Sequence, residues 1–102
     1  MHGHDHLDVA KTEENMAIIY DEQGKFEKAL EIYRKVLETK IRVCGHEHPD
    51  VADTYSNIGL VYDSLGNTEM DKEMTTKAYH IYLEVLGPDH PKTQELKPYV
   101  DE

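Results

Sequence analysis

Basic side chains, cysteine and apolar residues are all scarce in the 102-residue sequence. Eleven Lys and Arg face 21 Asp and Glu, a formal charge of −10, which argues against direct contact with nucleic acid or an anionic membrane surface. A single cysteine, Cys44, excludes an intramolecular disulfide framework. There is neither a charged-then-apolar leader nor a long apolar run, so a reducing, cytoplasmic setting is expected. Apolar residues reach only 38%, which predicts a thin core whose stability leans on neighbours. The serines, Ser56 and Ser64, sit in helical sequence outside any nucleophile elbow, and the glycines are too dispersed for a phosphate loop. Glu13/Glu14 and Asp21/Glu22 are adjacent, and adjacent residues on a helix do not converge on one substrate atom. Neither catalysis nor a cofactor is expected.

What the chain does contain is itself, twice. The segment from His6 to Gly45 lies on that from His48 to Gly87 with an offset of 42 residues, matching Asp8/Asp50, Val9/Val51, Asn15/Asn57, Tyr20/Tyr62, Gly24/Gly66 and Lys35/Lys77 among others. A third copy begins at His90-Pro91 and stops. The organisation expected is a His-rich tail over 1–5, repeats over 6–47 and 48–89, and a partial third repeat over 90–102. Val9, Thr12, Met16, Ile19 and Tyr20 recur at helical spacing, as do Val51, Tyr55, Ile58, Val61, Tyr62 and Leu65. Phe26, Ala29, Leu30, Tyr33, Val36, Leu37 and Ile41 form another stripe. These patterns predict helices over 8–23, 26–44, 50–65 and 68–86, and a further segment around 91–97 that Pro98 stops.

Two segments carry a family resemblance. Asn57-Ile58-Gly59-Leu60-Val61-Tyr62 with Gly66-Asn67, and the run from Gly24 to Tyr33, resemble the small/aromatic pattern of tetratricopeptide repeats. The 42-residue spacing and the junction Leu86-Gly87-Pro88-Asp89-His90-Pro91 are similar to the kinesin light chain and nephrocystin subclass. The resemblance implies an all-α fold, a short right-handed α-solenoid of two helical hairpins plus a C-terminal stub, and a non-catalytic module that binds partner proteins.

Departures from the pattern fall on the fourth helix. Phe26, Ala29, Leu30 and Tyr33 correspond to Thr68, Asp71, Lys72 and Thr75, exchanging about 6 kcal/mol of potential burial for side chains that resist it. Thr68 is expected to cap that helix, and a new stripe, Met70, Met74, Ala78, Ile81 and Val85, follows. The helix is read as a water-facing terminal cap or as a surface for a second chain. Self-association, the alternative function, would use Met70, Met74, Leu96, Tyr99 and Val100, with Leu96, Tyr99 and Val100 expected to be exposed.

Mapping the family's groove positions onto the first helices gives Lys11, Glu14, Asn15, Ile18, Asp21 and Glu22, then Asp53, Ser56, Asn57, Leu60, Asp63 and Ser64. With one cation against five carboxylates, this lining favours a basic or mixed peptide over an acidic one. Ile18 and Leu60 are the expected anchors, Asn15 and Asn57 the amides for a partner's backbone, and Glu14, Asp21 and Asp63 the charge selectors. Cys44-Gly45-His46-Glu47-His48 invites a zinc or copper reading. Because His6, His48 and His90 share one repeat position, they are read as junction residues, and no metal site is expected; His2, His4 and His6 suit adventitious nickel or zinc. Cys44 is expected to be a small buried hydrophobe.

Overall fold

The computed structural model describes the backbone of residues 2–100 and the side chains of residues 7–100. Its helices are α1 (His2–Glu22), α2 (Phe26–Cys44), α3 (Pro49–Ser64), α4 (Thr68–Leu86) and α5 (Pro91–Val100). Each packs on the next in chain order, α1 on α2 through α4 on α5, giving a slab of 39 × 31 × 17 Å. Among the described residues there is no strand, and no helix is long and apolar enough to cross a membrane. α1 begins at His2, ahead of the repeat proper, and the side chains of His2, His4 and His6 lie outside the described residues.

The repeat boundaries are punctuated by backbone chemistry. His48 is the N-cap of α3, its Nδ1 accepting the Asp50 amide at 3.0 Å, with Pro49 in the first turn, where its missing N–H costs nothing. One period later His90 Nδ1 accepts the Lys92 amide at 3.1 Å and Pro91 opens α5. Gly45 and Gly87 end α2 and α4 at φ 90°, ψ 163° and φ 92°, ψ 163°, a region open almost only to glycine.

Two buried clusters fill the slab. Ala17, Ala29, Leu30, Tyr33, Ile58 and Val61 form one, with Tyr20, Phe26 and Met74 packed against it. Val51, Ala52, Ala78, Ile81, Tyr82 and Leu96 form the other, and Leu37 touches both.

Several expectations need correction. Asn67, not Thr68, caps α4, since its side-chain oxygen accepts the Met70 amide at 3.1 Å and so serves an otherwise orphaned donor. Thr75 does not resist burial: it is 8% exposed because its hydroxyl donates to Asp71 Oδ1 at 3.1 Å, and Gly59 opposite leaves room for both. The α4 stripe mostly faces inward, with Ala78 and Ile81 buried and Met70 and Met74 half-buried. Leu96 is 9% exposed, because α5 lays it against α3 and α4, whereas Tyr99 stands 65% exposed and Val100 is half-buried. Pro98 does not stop α5, which runs to Val100; so near the C-terminus its ring removes only the donor for the Gln94 carbonyl. Cys44 is half-buried rather than enclosed.

Candidate functional site

One face of the molecule is built by the first helix of each repeat, α1, α3 and α5. Glu14, Asn15 and Ile18 from α1 and Asp53, Ser56 and Asn57 from α3 line a cleft of about 390 Å³. Its other walls are Tyr82 of α4 and Lys92, Glu95 and Leu96 of α5. A neighbouring cleft of about 220 Å³ continues past Ser56, Glu95 and Leu96 to Leu60, Asp63 and Tyr99. Of the residues expected in the groove, Lys11, Asp21, Glu22 and Ser64 line neither cleft; Asp21 is half-buried and the other three are exposed.

Two polar networks floor the groove. In the first, the Lys40 ammonium reaches through from α2 and donates to Glu14 Oε1 at 2.8 Å, Thr54 Oγ1 at 3.0 Å and the Asp50 carbonyl at 3.3 Å. The second Glu14 oxygen accepts from Thr54 Oγ1 at 3.0 Å and from Asn57 Nδ2 at 3.2 Å. With side chains only 5% and 13% exposed, Lys40 and Glu14 form a desolvated ion pair whose remaining valences are met by hydrogen bonds. Glu14 is thus neutralised from within, and one N–H of the Asn57 amide is given to it.

The second network lies one period on, where Tyr82 takes the place of Lys40. Its phenol donates to Asp53 Oδ1, and Lys92 Nζ reaches both Asp53 oxygens at 3.0 and 3.3 Å while lying 5.7 Å above the Tyr82 ring. Burial, then the Asp53 carboxylate, push the Tyr82 phenol well above the ordinary tyrosine range. Tyr33 is pushed up likewise, by burial and then by the charges of Glu14 and Asp21. Asp21 itself is held above the usual carboxylate range by partial burial and by Glu22. Among the described residues, Asp63 and Glu95 of the cleft walls are left without ion-pair partners, so the net charge of the groove rests on them.

Sequence reasoning missed Lys40, Tyr82, Lys92, Glu95 and Leu96. A signal existed for Glu95: Lys11, Asp53 and Glu95 occupy one repeat position, so a further step of 42 from Asp53 reaches it. Lys40 and Tyr82 belong to the second helices, α2 and α4, and reach the groove from behind its first-helix wall.

Away from the groove, Cys44, His48 and Asp50 bring ligand atoms within 4.8 Å of one another. This is three ligands at most, and His48 is compromised as one. Its Nδ1 lone pair already accepts the Asp50 amide, which places the neutral ring's proton on Nε2. Binding through either nitrogen would therefore cost the α3 cap.

Comparison with known proteins agrees with this architecture. No curated protein matches the chain. Among solved structures, BtubC (BKLC) from P. vanneervenii superposes with a TM-score of 0.76 at 19% identity, over 86% of this chain and 35% of that one. This chain thus spans about a third of that protein's length, and the likeness is one of fold. The tetratricopeptide repeat profiles match residues 8–70 and, in a second form, residues 51–92. More than half of the sequence is covered by the first match alone, and the chain belongs to the tetratricopeptide repeat family.

Proposed function

We propose that the groove along α1, α3 and α5 holds an extended or helical segment of a partner protein with basic or mixed charge. Tetratricopeptide repeats are protein-interaction scaffolds, typically without catalysis of their own. The observation that carries the finer reading is the division of the acids. Glu14 and Asp53 are each tied to a lysine of the chain, whereas Asp63 and Glu95 are not, among the described residues. Ile18 and Leu60, 38% and 59% exposed on the same helices, supply apolar anchorage, and Asn15 an exposed amide.

The test compares a Lys/Arg-rich peptide carrying two leucines with its Glu-substituted counterpart, by fluorescence anisotropy across a salt series. The basic peptide should bind more tightly and lose affinity as salt rises. Asp63→Lys with Glu95→Lys should weaken it about tenfold or more, roughly 1.4 kcal/mol, with the helical circular dichroism unchanged. Equal affinity for both peptides, or indifference to the double reversal, would remove the groove from consideration.

A further inference from the structure

The two repeats differ in what covers them. On α3, Val51, Thr54 and Val61 are 0% exposed and Ile58 is 4% exposed. α2 packs on α3 with Leu30, Tyr33, Leu37 and Ile41 in the clusters that bury Val51, Ile58 and Val61, beside Ala17 of α1 and Ala78 and Ile81 of α4. One period earlier the same positions are Val9, Thr12, Met16 and Ile19 on α1. There Val9 is 56%, Met16 43% and Ile19 52% exposed, and Thr12 is exposed as well. The spacing of three, four and three residues aligns these side chains in one stripe about 15 Å long. α1 turns Ala10 and Ala17 inward and Glu14 and Ile18 to the groove, so this stripe is a third face that neither the core nor the groove uses.

The repeat supplies the occupant's shape and the charges supply its chemistry. α1 holds six carboxylates, of which Glu13 and Glu14 are paired with Lys35 and Lys40, and one lysine, whereas α2 holds five cations and three carboxylates. On α3 the covering helix also delivers the Lys40 ammonium to the Asp50 carbonyl and the Thr54 hydroxyl. The residues at those positions on α1 are Asp8 and Thr12, both exposed. A second α1 laid against this face would set acid against acid, and an anionic membrane surface would be repelled for the same reason. We propose that the Val9–Thr12–Met16–Ile19 face of α1 docks a basic amphipathic helix of a partner protein, seated on α1 as α2 is seated on α3. This surface is separate from the groove and does not depend on it.

The probe is a fluorescently labelled peptide of residues 25–45, the chain's own covering helix, with Cys44→Ser to prevent oxidation. It is titrated with the full chain, to about millimolar concentration because a short helix must be ordered on binding. Saturable binding is expected, weakened about tenfold or more by Met16→Glu with Ile19→Glu. Both residues are exposed, so the folded circular dichroism of that variant should match the parent. A peptide with Lys40→Glu should bind several-fold more weakly. Absence of binding would overturn the proposal. So would binding indifferent to the two substitutions, which would mean that the peptide displaces α2 from the core. A parent chain found by light scattering to be a dimer that Met16→Glu and Ile19→Glu dissociate would also overturn it, since the occupant would then be a second copy.

Discussion

Lys40 is the side chain on which three helices converge. It starts on α2, neutralises Glu14 of α1 and bonds Asp50 and Thr54 of α3, at 4% exposure. Desolvating two charges costs most of what their attraction returns, so the pair adds little net stability over a well-packed apolar pair. Removing one partner is a different matter, because the other is left buried and unpaired. Lys40→Met should therefore destabilise the fold by about 3–5 kcal/mol, and adding Glu14→Gln should recover a substantial part of that loss. Urea denaturation of the two single variants and the double closes the cycle; additive losses would show that the two groups do not act as a pair. Nothing in the linear sequence marked this lysine. It lies among other cations of an amphipathic helix, and only the packing of α2 between α1 and α3 turns it inward.

Helix periodicity was readable because each helix has one face that must leave water, and apolar residues at three- and four-residue intervals record that face directly. Hence α2 and α4 fall where the spacing puts them, and α1 and α3 end within one residue of expectation. Polar burial leaves no such record. The exchange of Phe26, Ala29, Leu30 and Tyr33 for Thr68, Asp71, Lys72 and Thr75 reads as a surface, and Thr68 and Lys72 are exposed, yet at the crossing of α3 and α4 Asp71 and Thr75 form a packed polar contact. A Cβ on Gly59 would stand 3.0 Å from both Asp71 Oδ1 and Thr75 Oγ1 and 3.4 Å from the Asp71 carbonyl. Gly59→Ala should consequently destabilise by about 1–3 kcal/mol, against the roughly 1 kcal/mol that alanine gains in an open helix. Asp71→Ala removes one of the clashing atoms, so thermal melts in that background should show a smaller loss; a stabilising Gly59→Ala would mean that the helices separate freely.

At the scale of the whole molecule, stability is passed along a line, since each helix touches only its chain neighbours extensively. α5 has a helix on one side only, and ten residues are too few to hold helical structure in water unaided. Its attachment rests on Leu96, the Lys92–Asp53 ion pair and the buried Thr93. Thr93 is a weak point: it is 1% exposed, its hydroxyl has no hydrogen-bond partner, and the same position on α3 is Val51. Leu96→Ala should release α5 locally, lowering amide exchange protection there by about thirtyfold for a loss near 2 kcal/mol. Thr93→Val should act in the opposite sense, by about 1–2 kcal/mol, because it removes an unsatisfied group without changing the shape. In both variants the amides of α1 and α2 should keep their protection, because among the described residues that hairpin makes no extensive contact with α5. If α1 and α2 lost protection together with α5, the chain would open as one cooperative unit. The groove would then exist only while every helix is in place, including the terminal one that supplies Lys92, Glu95 and Leu96 to its wall.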